Sequence, residues 1–248
     1  MMHRFFTEDS PIPGGEALIR GDEARHACQV LRLKPGDLCE LLAGGSRWRC
    51  ELLSLTPEEG RARALESLPT TEPRLRVTLY QGLPKGDRME RIIQKAVELG
   101  PAAVVPVAMS RCVAKLDGRD AAKKTERWQR IAAEACKQSG RCCLPRVGAP
   151  LSMAELPKAL RGHQAAAVPW EEAAGHSLTG FVREHPDLRD VAVVIGPEGG
   201  MAPEEIAAME AVGCQPVTLG PRILRTETAG MAAIAALMAL CGEMEVTA

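Results

Sequence analysis

The sequence predicts an α/β protein in which a small β-barrel precedes a parallel-sheet domain, and three observations lead there. Short apolar alternations separated by tight turns fill the first seventy residues. A polar, Pro-bounded stretch follows them, and beyond it strand and helix patterns alternate.

In the first part, Asp37-Leu38-Cys39-Glu40-Leu41-Leu42 and Arg47-Trp48-Arg49-Cys50-Glu51-Leu52 alternate with the period of half-buried strands. Lys34-Pro35-Gly36-Asp37 and Ala43-Gly44-Gly45-Ser46 supply the turns between them. Leu68-Pro69-Thr70-Thr71-Glu72-Pro73 reads as the linker, so the expected domains are 1–72 and 73–248. Arg76 to Gln81 then reads as a strand, followed by Gly82-Leu83-Pro84-Lys85-Gly86. A helix comes next, with Asp87 at its N-cap and Met89, Ile92, Ile93, Ala96 and Val97 on one apolar face; Gly100-Pro101 ends it. Ala103 to Val107 is the next strand, which completes a βαβ unit and implies a parallel sheet. A helix over about Ala121 to Ser139 aligns Trp128, Ile131, Ala132 and Ala135. Its other side, with Arg127, Arg130, Lys137 and Arg141 on or near it, is expected to be a basic exposed face. Strands are also expected at Val191 to Ile195 and Gln215 to Leu219, each running into a Gly/Pro-rich loop and then a helix. The last helix, Ala229 to Leu240, is apolar on nearly every side, so more than one face must be covered. A homodimer interface would do that.

Composition removes several classes of function. The 248 residues are 46% hydrophobic and 25% charged with a net charge of −1, ordinary values for a folded domain rather than a disordered one. Ala229 to Gly242 is shorter than the roughly 20 apolar residues a membrane span needs. The N-terminus shows no apolar core ahead of its acidic residues, so a cytoplasmic location is expected. Nine scattered cysteines without a C-x-x-C pair and five histidines without ligand spacing imply no metal site and no disulfide framework. Cys142-Cys143 is read as packing rather than redox chemistry. The charge is uneven: residues 71–148 hold 16 Lys/Arg against 8 Asp/Glu, whereas residues 149–248 hold 6 against 13. A basic middle third suits a polyanionic partner, and seven aromatic residues are too few for a base-stacking sheet, which leaves phosphate contacts.

Two junctions carry the chemistry. Gly196-Pro197-Glu198-Gly199-Gly200 and Gly220-Pro221-Arg222-Ile223-Leu224-Arg225-Thr226-Glu227 both follow predicted parallel strands, where α/β proteins bind ligands. No G-x-G-x-x-G, P-loop or G-x-S-x-G pattern is present, which argues against dinucleotide enzymes, P-loop kinases and nucleophile-elbow hydrolases. The residues of the first junction, taken alone, fit a tight turn as well as a ligand loop.

Ile195 to Gly200, Leu219 to Ala229 and Arg127-Trp128 through Gln138-Ser139-Gly140-Arg141 resemble the signatures of the bacterial ribosomal small-subunit RNA methyltransferases that act on uracil N3, a family of the SPOUT superfamily. His26 to Asp37 likewise resembles that family's PUA-like barrel, and the match runs along nearly the whole chain in order. The resemblance implies a PUA-like RNA-binding barrel and a parallel-sheet domain whose C-terminal part threads a trefoil knot. It also implies an S-adenosylmethionine site at Gly196, Pro197, Glu198, Gly199, Leu219, Gly220, Ile223 and Leu224, a homodimer, and 16S rRNA of the small ribosomal subunit as partner. One departure is Ala202, where relatives commonly place a Ser or Thr cap; Pro203, Glu204 and Glu205 are expected to offset part of the loss.

Methylating N3 requires the imide proton to leave, so an electrophile must stabilise the anion spread over O2, N3 and O4. Arg225 is the candidate. Glu198 or Glu227 would accept the proton or orient Arg225; alternatively Glu198 ties down its own turn and Glu227 caps the last helix. RNA contacts are expected from Lys85, Arg88, Arg111, Lys115, Arg127 and Arg141, with Arg4 and Arg32 from the barrel. A SPOUT enzyme acting on another RNA such as tRNA, and a noncatalytic RNA-binding assembly factor, are the alternatives.

Overall fold

The computed structural model describes residues 2–113, 118–173 and 175–245. They form two compact units: Met1–Glu72 with Cys136–Leu144, and Pro73–Ala135 with Pro145–Ala248.

In the first unit, strands β1 (His3–Phe6), β2 (Glu16–Arg20), β3 (Leu38–Ala43), β4 (Ser46–Leu55) and β5 (Glu59–Leu68) form one curled sheet in the order β1-β3-β4-β5-β2. Both predicted alternations are strands, paired antiparallel with Cys39 opposite Cys50 and Leu41 opposite Trp48. Side chains join the two sheet edges: the Thr7 hydroxyl donates to the Leu18 carbonyl at 2.8 Å, and Asp9 accepts from the Leu18 N–H at 2.6 Å. Phe5, Ile19, Leu41, Trp48 and Leu52 fill the concave side with Cys39 and Cys50. Burial pushes those thiols up to about 12 and about 11, so both are inert packing groups. Helix α1 (Gly21–Arg25) continues into a single π turn at His26–Val30.

The segment Cys136–Leu144 completes this unit through one carboxylate. Glu72 accepts from the N–H groups of Cys142 and Cys143 at 2.8 and 2.9 Å and holds the Arg141 guanidinium at 2.6 Å. Arg141 is only 5% exposed, which corrects its assignment to a basic RNA-facing surface. Arg4 is engaged too: it donates to Glu40 at 3.0 Å and to the Lys137 carbonyl at 2.8 Å, at the C-terminal end of α3 (Gly118–Ser139), where a cation complements the helix dipole. Lys137 pairs with Glu23 at 2.7 Å. The basic face expected on this helix therefore narrows to its earlier turns, because two of its four cations, Lys137 and Arg141, are tied within the unit.

The second unit is an all-parallel sheet in the order β12-β10-β11-β6-β7-β8, with β9 also on β7. Its strands are β6 (Arg76–Gly82), β7 (Ala103–Ala108), β8 (Arg146–Val147), β9 (Leu151–Ser152), β10 (Ala165–Pro169), β11 (Asp190–Ile195) and β12 (Gln215–Val217). The four strands expected from sequence are all there. Between two of them lies β10, an Ala-rich run whose single β-branched residue, Val168, is too little to flag a strand.

Helices cover both faces, so the central strands are largely apolar, with the buried Gln81 of β6 an exception. Helices α4 (Leu156–Leu160) and α6 (Pro203–Glu210) pack on Tyr80, Val107, Val168, Ala192 and Val194. On the other side α2 (Arg88–Glu98), α5 (Leu178–Glu184) and α7 (Thr226–Leu240) pack together. All five apolar residues predicted for α2 are buried, but Asp87 makes no side-chain cap and instead faces Arg91 at 3.7 Å. In α6 the Glu205 carboxylate accepts from the Ala202 N–H at 2.9 Å, the half of a capping box that needs no N-cap side chain, while the Glu205 N–H that a Ser or Thr would have capped donates to the Ala202 carbonyl at 2.9 Å. Gly230 faces the sheet from α7, where a Cβ would make ordinary contact with Gln81, Leu79 and Ile195 at 3.4 to 3.6 Å.

Candidate active site

A cavity of about 460 Å³ opens where β10 and β11 end, walled by the loop after β11 and by the N-terminus of α7. Its lining includes Gly196, Pro197, Glu198, Ile223, Leu224, Arg225 and Glu227 from the predicted set. Leu219 and Gly220 line a smaller adjoining cavity of about 80 Å³ that shares Ile223 and Leu224. Gly199 lines neither. Its carbonyl accepts from Arg111 at 3.2 Å, and a Cβ on it would lie 3.1 Å from that of Arg111.

The loop after β11 is fixed from several directions. Gly200 N–H closes a turn on the Pro197 carbonyl at 3.0 Å. The Thr226 hydroxyl donates to the Gly196 carbonyl at 2.6 Å. Glu198 accepts from the Lys85 N–H at 3.0 Å and pairs with the Arg88 guanidinium. Partial burial raises its pKa, but its own N–H, that of Lys85 and the Arg88 charge outweigh the burial and hold it below the usual carboxylate range. Glu198 is thus an occupied anion, which fits the turn-tying role and leaves it a weak proton acceptor.

Arg225 precedes α7 as an exposed residue in extended backbone, and its guanidinium has no hydrogen bond or ion pair among the described residues. Glu227 lies in the first turn of α7 with its carboxylate equally unengaged among them. Sequence reasoning missed three contributors. Glu171 and Pro169, at the end of β10, line both cavities. Gly82 is the third: a Cβ there would lie 2.6 Å from the Pro197 nitrogen, so only glycine lets β6 abut the loop. The strand-to-loop spacing of Gly82-Leu83-Pro84 was the signal that could have found it.

The donor set suits S-adenosylmethionine. The walls are backbone groups and aliphatic side chains, and the carboxylates of Glu171 and Glu227 complement positive charge.

Of the predicted RNA contacts, Lys85 and Arg111 are exposed beside this loop, while Arg88 is occupied by Glu198. Arg127 is exposed and pairs with Glu90 at 2.9 Å on the surface, a bond easily exchanged. Arg32 is exposed in the first unit with a left-handed φ of 54°. Lys115 lies outside the described residues. Among the described residues no helix is long and apolar enough to cross a membrane, and no group of three or more His, Cys, Asp or Glu could hold a metal.

A family profile described as RNA methyltransferase domain matches residues 71–238, and one described as RNA methyltransferase PUA domain matches residues 19–64. The Bacillus subtilis (strain 168) ribosomal RNA small subunit methyltransferase E is 35% identical over 246 residues, 95% of this chain and 96% of that protein. This chain belongs to the ribosomal RNA small subunit methyltransferase E family. The Synechocystis member is 38% identical, over 97% of this chain and 78% of its own. The crystal structure of the Neisseria gonorrhoeae member, bound to S-adenosyl methionine, has a TM-score of 0.82 and 36% identity, over 97% of this chain and 98% of that one. The chain is accordingly an RNA methyltransferase with a PUA domain.

Proposed function

We propose that this protein methylates N3 of a uridine in 16S rRNA of the small ribosomal subunit, with S-adenosylmethionine as donor. The observation that carries the reading is the Arg225 guanidinium, unpartnered among the described residues, in the wall of a cavity whose other cation, Arg88, is neutralised by Glu198. When bound, S-adenosylmethionine supplies an electrophilic methyl group on a sulfonium. Gly196, Pro197, Glu198, Leu219, Gly220, Ile223 and Leu224 would hold it, with Gly199 acting through Arg111 rather than by contact.

In this reading Arg225 stabilises negative charge on the imide oxygens as N3 gives up its proton, and a planar guanidinium suits two carbonyl oxygens better than an ammonium does. Glu227 accepts the proton, because Glu198 is engaged by Arg88 and Lys85. Residues 1–72 serve as the PUA-like RNA-binding domain and 73–248 as the methyltransferase domain. Arg32, Lys85, Arg111, Lys115 and Arg127 contact phosphates, while Arg88 secures the loop. The partly exposed side of α7, with Met231, Ala232, Ala235, Ala236 and Leu240, pairs two chains into a homodimer. The trefoil knot belongs to the same reading; β11 inserted between β6 and β10, with α7 returning against β6 and β11, supports it. The enzyme then works where ribosomes are assembled, in the cytoplasm.

The test supplies methyl-labelled S-adenosylmethionine with assembled small subunits, naked 16S rRNA or tRNA, followed by nucleoside mass spectrometry. N3-methyluridine in 16S rRNA is expected. Label confined to tRNA, or no label with any substrate, would overturn the proposal.

A further inference from the structure

Behind the cavity wall lies a polar chain that the roles above do not use. Gln81, the penultimate residue of β6, is fully buried. Its amide nitrogen donates to the Thr226 hydroxyl at 2.8 Å and to the Gly82 carbonyl at 3.1 Å. The Thr226 hydroxyl in turn donates to the Gly196 carbonyl at 2.6 Å. Direction is fixed by chemistry: two carbonyl oxygens flank the pair, so the amide must present N–H and the hydroxyl must accept from it before giving its own proton onward.

The arrangement is kept although it strands a polar atom. Gln81 Oε1 has no hydrogen-bond partner among the described residues and lies beside Gly230, where a Cβ would meet it at 3.4 Å. A buried carbonyl left without a partner is destabilising, and a leucine of similar volume would avoid that penalty. Thr226 sits between Arg225 and Glu227, so its tether ties the start of α7 both to the loop backbone at Gly196 and to the central strand β6.

We propose that Gln81 and Thr226 are positioning residues of the methyl-transfer site, setting the start of α7, and with it Arg225 and Glu227, against the Gly196–Gly200 loop. The inference rests on this cavity being where the methyl group is transferred.

The test uses the full-length protein, S-adenosylmethionine and small ribosomal subunits lacking the modification. Thr226→Val removes the hydroxyl at nearly constant volume, and misplacement by about 1 Å can cost on the order of a hundredfold. Its single-turnover rate at saturation is expected to fall about tenfold to a hundredfold, with calorimetric S-adenosylmethionine affinity changed less than about threefold. Thr226→Ser should restore the rate to within about threefold. Hydrogen exchange at Gly200 should quicken in the valine variant and not in the serine one. Gln81→Leu, the second probe, keeps the hydroxyl but removes its donor and should lose about three- to tenfold. In the double variant the two losses should not multiply.

Equal rates for the valine and serine variants, multiplying losses, or a valine variant that reacts normally once saturated would each overturn the proposal. Failure of the underlying site is distinguishable: there Arg225→Ala would also react at the wild-type rate, whereas an impaired Arg225→Ala beside a normal Thr226→Val refutes the positioning role alone.

Discussion

Residues 196–200 and residues 219–225 wall neighbouring parts of one site, but they are held in opposite ways. The first loop is anchored by Thr226, Lys85, Arg88 and Arg111 and seated on Gly82. The second has a local bond from the Gly220 N–H to the Thr218 hydroxyl at 3.1 Å, and Ile223 in its middle is 87% exposed. A site with one preset wall and one open wall can hold a cofactor's backbone contacts ready while leaving its entrance to be closed by the ligand. The side chain assigned to transition-state charge, Arg225, stands at the junction of the two, where the open loop meets the tethered start of α7.

Breaking the junction has the largest expected effect. Arg225→Ala should lose about 10²- to 10³-fold in single-turnover rate, roughly 3 to 4 kcal/mol, with little change in S-adenosylmethionine affinity. Lysine should rescue only partly. Next comes the preset wall: Gly82→Ala forces a methyl group into the Pro197 ring and should destabilise by about 1–3 kcal/mol, read as a lowered Tm together with weaker cofactor binding. On the open wall the signature reverses. Ile223→Ala should leave Tm unchanged, since the side chain is exposed, yet weaken S-adenosylmethionine by about fivefold if the loop closes over it, near 1 kcal/mol of buried aliphatic surface. Unchanged affinity there would show that the open loop stays open.

The smallest effect separates the walls by pH. Because the folded-state pKa of Glu198 is depressed, its contribution is present above the ordinary carboxylate pKa and is lost as pH falls through the lower folded value. Glu198→Gln should therefore lower Tm slightly at neutral pH and flatten its acid dependence. Both partners are about one-third exposed, so the change should stay below about 1 kcal/mol. A wild-type and variant difference that grows toward acid pH would contradict this assignment.

The same contrast explains what could be read in advance. The α2 face was legible because its five apolar residues follow a helical period, and the β3 and β4 pairing because their alternations flank a two-glycine turn. Both loops of the site were legible from their glycines, prolines and position after strands. β10 was not, because Ala165-Ala166-Ala167 carries no β signature, and with β10 went Glu171. Arg141 and Arg4 read as surface cations from sequence, because a sequence shows a charge but not its partner, here Glu72 and Glu40.

By itself, then, the sequence determined the α/β class with its parallel sheet and, through the resemblance of its motifs, the family, whereas the grouping of Cys136–Leu144 with the first unit lay outside its reach. Class and family depend on local periodicity, turn chemistry and motif spacing, each contained within a dozen or so residues. Tertiary structure decided which charges face inward and which groups meet at the site. Glu72 reaches Arg141 across 69 residues, and Gln81 reaches Thr226 across 145. Such contacts follow from how the strands are ordered in the sheet, and local pattern carries no information about that order.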